Sequence, residues 1–304
     1  MQGLRLDQAA AALFPDYSRA RLQHWAKAGQ LTVNGCQVRP RHKLLGGEQL
    51  ALAVEPPPED AWQPEAMPLD IAYEDDALAV INKPAGMVVH PAAGNHSGTL
   101  VNGLLHYMGP AQFELPRAGI VHRLDKDTTG LMVVAKTPAA YTHLVAQLQA
   151  RTVKRQYQAL VHGSLTGGGT IDAPINRHPR QRKQMAVVSH GGKPAVTHYR
   201  LLAHLQGYSH VRLKLETGRT HQIRVHMAHI RHPLVGDPVY GKRLGKLNSL
   251  RPELAATLRS FSRQALHAVQ LGLEHPSSGE PMQWQAPLPH DMQTLLHALE
   301  ARDD

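Results

Sequence analysis

The densest chemical signal in the chain is Gly119 to Lys136, GIVHRLDKDTTGLMVVAK. Two apolar runs of strand length bracket a charged turn that ends in Gly130. That pattern sets Asp125 at a rim held by rigid elements, where enzymes commonly keep reactive groups. A carboxylate in such a position can serve as nucleophile or as general base. An ordinary hairpin whose Asp and Lys face water has the same pattern.

Two further stretches carry chemistry. From 151 to 200, Arg151, Lys154, Arg155, Arg177, Arg180, Arg182, Lys183, Lys193 and Arg200 stand against one acid, Asp172. So lopsided a run repels itself unless a polyanion is near, which points to RNA or DNA. Tyr157 lies inside it, and an aromatic among phosphate-binding groups can stack on an unpaired base. A core tyrosine on an alternating strand has the same spacing. Leu215 to Met227, LETGRTHQIRVHM, reads as a strand end, a glycine turn and a helix start. Helix N-termini attract anions, so Arg219 is expected to bind phosphate and to pair with Asp125. The plainer alternative is a surface loop before a capped helix.

Other chemistries are disfavoured. The chain has no Gly-x-x-x-x-Gly-Lys-Ser/Thr loop, Gly-x-Ser-x-Gly elbow or His-Glu-x-x-His pair. His122-Arg123-Leu124-Asp125 looks like a kinase catalytic loop, but no Asp-Phe-Gly accompanies it. Among 21 histidines, His221, His226, His229 and His232 cluster, yet Arg219, Arg224 and Arg231 sit between them. Three cations oppose a bound dication, so surface or RNA-facing histidines and no metal are expected. The single cysteine, Cys36, excludes an intrachain disulfide and a Cys-based zinc site.

Composition sets the frame. Lys and Arg total 33 against 24 Asp and Glu in 304 residues, a formal charge of +9. Neutralising phosphates releases counterions, so this balance favours a polyanionic partner. Arg5 and Asp7 interrupt the start where a secretory signal needs apolar residues, and no run approaches the ~20 apolar residues that span a bilayer. A cytoplasmic protein without a membrane segment is expected.

The elements that must position these residues follow from local pattern. Residues 1–55 read as a small unit: a helix capped by Ser18 and ended by Gly29, a hairpin at Asn34-Gly35 joining 31–33 to 36–38, and a strand from Gln49 to Val54. Arg19, Arg21 and Lys27 lie on its helix. The Pro-rich, acidic stretch 56–68 reads as a linker. In 69–304, strands are predicted at 78–82, 119–124, 131–136, 156–161, 210–215 and 265–273, with another around Met282 and Trp284. Helices are predicted at 99–107, 138–149, 220–229 and 291–300. There is no βαβ rhythm, so the fold class is α+β with a mixed, largely antiparallel sheet.

Taken together, Asn82–Pro91, His122–Gly130, Tyr157 in its basic strand, Glu216–Met227, His232–Pro238 and Arg263–Ala268 resemble, in family order, the bacterial pseudouridine synthases whose prototype modifies both tRNA and large-subunit rRNA. The N-terminal unit is similar to the α-L RNA-binding module of a ribosomal protein, with Glu48 where that module usually has Asp. The resemblance implies a pseudouridine synthase core with a basic cleft, no cofactor and 23S rRNA or a large-subunit precursor as partner. It implies Asp125 as the catalytic carboxylate, Tyr157 as the active-site tyrosine and Arg219 as the arginine paired with Asp125. Arg123 would fill the gap left by a flipped base, and Leu266 would pack near the site. Lys154 and Arg155, with Arg19, Arg21 and Lys27, are candidate RNA contacts. A monomer is the default expectation. A binding-only assembly factor and a base-releasing N-glycosidase are the competing readings.

Overall fold

The structure is a computed structural model, and it describes residues 3–14, 19–53, 62–91, 95–181, 184–241 and 250–301. The chain divides into two compact units, Met1–Ala61 and Trp62–Asp304.

The first unit contains α1 (Leu6–Leu13), α2 (Arg19–Ala28), β1 (Leu31–Val33) and β2 (Leu50–Leu52). Leu6, Leu22, Trp25 and Leu31 form its buried centre. Asn34 and Gly35 both adopt positive φ, 50° and 77°, and Val33 and Cys36 exchange both backbone hydrogen bonds across them. This is the two-residue turn that Asn-Gly favours. The second arm of the predicted hairpin does not form, and β1 pairs with β2 instead. The chain after Val38 is used elsewhere: the carbonyls of Pro40 and His42 accept the N–H groups of Asp7 and Leu6 at the start of α1. Glu48 accepts from the N–H groups of Leu45 and Gly46 at 2.6 and 2.8 Å, closing the turn before β2. The Arg19 guanidinium shares the buried Asp7 with Arg5 at 2.8 and 2.9 Å, so this candidate RNA contact is exposed but also held in an internal ion pair. Lys27 is exposed. Ser18, the side chain of Arg21 and residues 56–61 of the expected linker lie outside the described residues; 62–68 form neither helix nor strand.

The second unit runs β3 (Ile71–Glu74), β4 (Leu78–Lys83), α3 (Leu100–Met108), β5 (Thr129–Ala135), α4 (Pro138–Ala150), β6 (Lys154–His162), β7 (Gly169–Asp172), β8 (Ile175–Arg177), β9 (Met185–Val187), β10 (Val196–Leu205), β11 (Tyr208–Leu215), α5 (Gln222–His229), α6 (Pro252–Ser260), β12 (Leu266–Glu274), β13 (Pro281–Gln285) and α7 (His290–Glu300). Its large sheet has the order β3-β4-β5-β12-β6-β11-β10-β7, with β13 also on β12. Every pairing is antiparallel except β5 with β12. The mixed, largely antiparallel sheet agrees with the α+β expectation.

β5 is buried along its whole length, so it reads as a continuous apolar run rather than an alternating one. Gly130 opens it at φ +112°, and a Cβ there would sit 2.3 Å from the carbonyl oxygen of Ala268. Only glycine lets β12 approach so closely. Thr137 caps α4 ahead of Pro138, as the local sequence predicts, and Thr99, expected as the first residue of α3, is its N-cap.

The predicted strand over 119–124 is a correction. Only Ile120 bridges to Val134, and residues 121–128 leave the sheet as a loop. Arg117 and Ala118 adopt left-handed φ of 54° and 51°, followed by Gly119 at 76°. The buried Gln112 amide donates to the carbonyls of Ala118 and Ala135, each at 2.8 Å, and holds this turn against its intrinsic cost.

Candidate active site

Asp125 lies on the loop between that turn and β5, and buried donors from distant parts of the chain fix the loop. Val133 N–H donates to His122 Nε2 at 3.0 Å. Burial, reinforced by nearby Arg155, pushes the His122 pKa down to about 3, so the ring is a neutral acceptor. Arg263 donates to the Asp127 carbonyl at 3.2 Å while its fork grips Asp291 at 2.6 and 2.8 Å. Lys83, fully buried at the end of β4, donates to the carbonyls of Pro84, Met87 and Lys126 at 2.7, 3.0 and 2.8 Å.

Burial pushes the Lys83 pKa down to about 8, against the pull of Asp127 and Asp125. Its folded value lies below the ordinary 10.5, so the unfolded chain binds more protons between about 8 and 10.5, and this group makes stability rise with pH there. Loop order runs the other way, because a deprotonated amine has fewer donors for three carbonyls. We expect Lys83→Met to lower kcat by about 10- to 100-fold through loss of these bonds to the Asp125 loop, with the fold retained. Steady-state kinetics and circular dichroism check this; unchanged kcat would remove the clamp role.

Asp125 is mostly buried, and its Oδ2 accepts from Arg224 Nη1 at 3.1 Å. The expected partner was Arg219, and the structure corrects this. Arg219 precedes α5 and donates its Nε–H to the Pro194 carbonyl at 3.1 Å. Arg224, in the first turn of the buried α5, projects to the carboxylate and also pairs with buried Asp237 at 2.7 and 3.0 Å. Burial opposes the charge on Arg224, but the two carboxylates outweigh it and raise its pKa. Asp237 is held low: Arg224 and the N–H groups of Tyr240 and Val239 outweigh its burial. The Gln222 side-chain oxygen accepts from Thr217 Oγ1 and Arg219 N–H, tying the turn before α5 to its first residue.

His221 precedes α5 with φ +55°, and its Nε2 lies 3.9 Å from Asp125 Oδ1. Its Nδ1 lies 2.8 Å from the Tyr240 hydroxyl, which accepts the Met185 N–H at 2.9 Å. Arg224 stacks over the Tyr240 ring at 5.0 Å.

Asp125, His221 and Arg224 line a cavity of about 890 Å³ within the second unit, together with Arg123, Arg155, Tyr157, Arg219 and Leu266. Six arginines, Arg117, Arg123, Arg151, Arg155, Arg219 and Arg224, face two acids, Asp125 and Glu216. The wall is strongly basic. Tyr157 and Leu266 are buried in the core beneath it. Burial, opposed by Arg155 and aided by Asp125, pushes the Tyr157 phenol above its ordinary pKa. Arg155 is buried with its Nε unpartnered, and a Cβ at Gly218 would meet its guanidinium at 2.9 Å. Lys154 is its neighbour on β6, but alternation places it on the opposite face, along Gly272 and away from the cavity. Arg182 and Lys183 of the basic run lie outside the described residues.

The histidine cluster is not a surface feature throughout. His226 is fully buried, bonded to Thr197 Oγ1 and the Ala173 carbonyl, both at 2.9 Å. Among the described residues no group of three or more His, Cys, Asp or Glu is placed to hold a metal, and no helix is long and apolar enough to cross a membrane.

Sequence reasoning missed Arg224, Asp237, Tyr240 and Lys83 as parts of the site. One signal pointed to Arg224: an arginine between Ile223 and Val225 on a short helix is buried and needs a carboxylate.

Residues 77–229, which include Asp125, Tyr157 and Arg224, match the family model described as RNA pseudouridylate synthase. The chain is 56% identical over 301 residues to the ribosomal large subunit pseudouridine synthase D of Escherichia coli K12, covering 98% of this chain and 91% of that protein. It is 58% identical over 297 residues to the protein of the same name from Pseudomonas aeruginosa, covering 98% and 92%. Among solved structures, human RNA pseudouridylate synthase domain containing 1 superposes with a TM-score of 0.56 at 27% identity, over 78% of this chain and 96% of that one. Human RNA pseudouridylate synthase domain containing 4 gives 0.57 at 28% identity, over 76% and 92%. With more than half of its residues shared along nearly the full length of these relatives, the chain belongs to the RNA pseudouridylate synthase family and is an RNA-modifying isomerase.

Proposed function

We propose that this enzyme converts particular uridines of 23S rRNA, free or in a large-subunit precursor, to pseudouridine. The target is the domain IV stem-loop at the subunit interface, and the modification supports large-subunit maturation in the cytoplasm. The observation that carries this reading is the Asp125–Arg224 pair on the wall of an arginine-lined cavity. Strong similarity to synthases named for the large subunit supports the substrate class.

The chemistry fits these residue types. The uridine leaves its stack so that C1′ can be reached, which costs a few kcal/mol and is cheapest in a loop. Arg123, exposed at the cavity, fills the vacated place, while Arg155 and Arg219 take backbone phosphates. The ionised Asp125 opens the glycosidic bond by attacking C1′ or by taking the 2′ proton to give a glycal. The uracil stays bound against Tyr157 and Leu266, rotates and rejoins through C5. Asp125 is ionised again once the new bond forms, and it then takes the C5 proton. Tyr157 suits stacking better than this last step, because a phenol with a raised pKa keeps its proton near neutrality. Product and substrate have equal mass, so neither a redox partner nor an energy source is needed.

Carbodiimide mapping of 23S rRNA from cells lacking the protein tests the reading. Loss of the domain IV signals supports it, and an unchanged map overturns it. Release of free uracil by the purified enzyme would indicate an N-glycosidase instead. The N-terminal unit is proposed to hold rRNA through Lys27 and Arg21. Deleting residues 1–55 is expected to weaken rRNA affinity about 10- to 100-fold, as loss of several phosphate contacts does. Filter binding at fixed salt checks this; unchanged modification of intact rRNA would remove the binding role.

A further inference from the structure

We infer that His221, backed by Tyr240, is a positioning residue for the free oxygen of Asp125 and sets the acid limit of catalysis. The inference rests on the assignment of Asp125 as the reacting carboxylate. Arg224 occupies Oδ2, so Oδ1 is the oxygen left for substrate, and His221 Nε2 faces it at 3.9 Å. A closure of about 1 Å makes that approach a hydrogen bond.

Hydrogen-bond economy favours one ring nitrogen as the proton carrier. Met185 N–H donates to the Tyr240 hydroxyl oxygen, so the hydroxyl's own hydrogen is free to go to His221 Nδ1. Nδ1 is then bare, and Nε2–H points at Asp125. The opposite tautomer would aim two donors at one phenol oxygen and leave the phenol hydrogen to solvent. The edge-on ring contact with Tyr240, 5.6 Å between centroids, holds the imidazole in this plane. His221 also keeps a left-handed φ of +55°, costly for a residue with a Cβ, and such strain collects where geometry serves function.

The charged and titratable groups facing the ring are Asp125 and Arg123 from the loop, Arg224 from α5, and Asp237 and Tyr240 from the segment after it. Burial lowers the His221 pKa below 6.5, Arg224 and Arg123 lower it further, and Asp125 and Asp237 oppose. The ring is therefore neutral at physiological pH. Below its pKa, Nδ1 gains a proton that confronts the Tyr240 hydroxyl, and the imidazolium pairs with Asp125 and ties up the electrons the reaction needs. Activity then falls on the acid side.

The test is the pH dependence of kcat for the full-length enzyme on an rRNA stem-loop, with Tyr240→Phe, His221→Asn and Asp125→Asn run together. Tyr240→Phe keeps the ring but removes the hydroxyl that stabilises neutral His221. Its acid limb is expected to move to higher pH by about one unit, with KM unchanged. Asn tolerates the left-handed backbone, so His221→Asn is expected to fold and to lose about 10- to 100-fold in kcat at constant KM. It is also expected to lose the acid limb, and it reads that limb independently should Tyr240→Phe not fold. An acid limb unmoved in Tyr240→Phe, or wild-type kcat in His221→Asn, overturns the inference. If Asp125→Asn is inert while the limb is unmoved, this inference fails alone. If Asp125→Asn turns over normally, the assignment of Asp125 fails and the inference with it.

Discussion

Asp125→Asn is expected to abolish pseudouridine formation, lowering turnover at least about a thousandfold, while RNA affinity stays within a few-fold of wild type. Asn keeps the shape of the side chain and removes its charge, so neither attack at C1′ nor proton transfer at C2′ has a competent group. The fold should survive, because Arg224 still has both oxygens of Asp237. Binding should survive too, since the cavity's six arginines are untouched and one acidic charge is gone from their midst. A carbodiimide assay with filter binding separates the two quantities. Substantial turnover in the variant would remove Asp125 from the chemistry.

Arg224→Met is expected to affect stability as well as rate. It strands buried Asp237, with only the N–H groups of Val239 and Tyr240 left to it, and removes the cation from Asp125. Breaking a buried pair by deleting one partner costs about 3–5 kcal/mol. In a unit of this size that corresponds to a fall in Tm of roughly 6–20 °C. The same substitution at Arg219, whose guanidinium donates to a backbone carbonyl, should leave Tm nearly unchanged and act through RNA affinity and its salt dependence. Calorimetry on the two variants distinguishes them. A wild-type Tm for Arg224→Met would mean that the ion pair is not formed in solution.

What the sequence made legible was local or compositional. Thr137-Pro138 fixes the start of α4 through one cap and one preset φ, neither of which needs the rest of the chain. The basic cleft was implied by the family resemblance rather than by composition, and six arginines line the cavity. The apolar run 131–136 became β5, but its twin at 119–124 did not become a strand. The difference lies in Gln112, whose amide captures two carbonyls and turns the chain at Arg117–Gly119, a contact that periodicity does not register. Arg219 was expected to meet Asp125 because it sits beside a helix N-terminus and matches the family's paired arginine. Arg224 meets it because α5 is buried and turns that residue towards the loop, while Asp237 anchors it from the far side. Choosing between two arginines five residues apart required knowing which face of α5 is covered, and that is a tertiary fact. Lys83 shows the same limit: a lysine after an apolar run looks like a strand end reaching water, yet it is fully buried on three carbonyls.

The anchoring of the Asp125 loop also bears on synthesis. Its supports are dispersed: Lys83 comes more than forty residues earlier, Arg224 about a hundred later, and the Arg263–Asp291 clamp later still. The parallel pairing of β5 with β12 likewise joins segments some 140 residues apart. Contacts so distant in sequence form late and slowly. Until Asp291 has been made, a nascent chain lacks the acid that holds Arg263 against the Asp127 carbonyl, so the Asp125 loop misses one of its braces. The loop is therefore fully braced only after Asp291 has joined it.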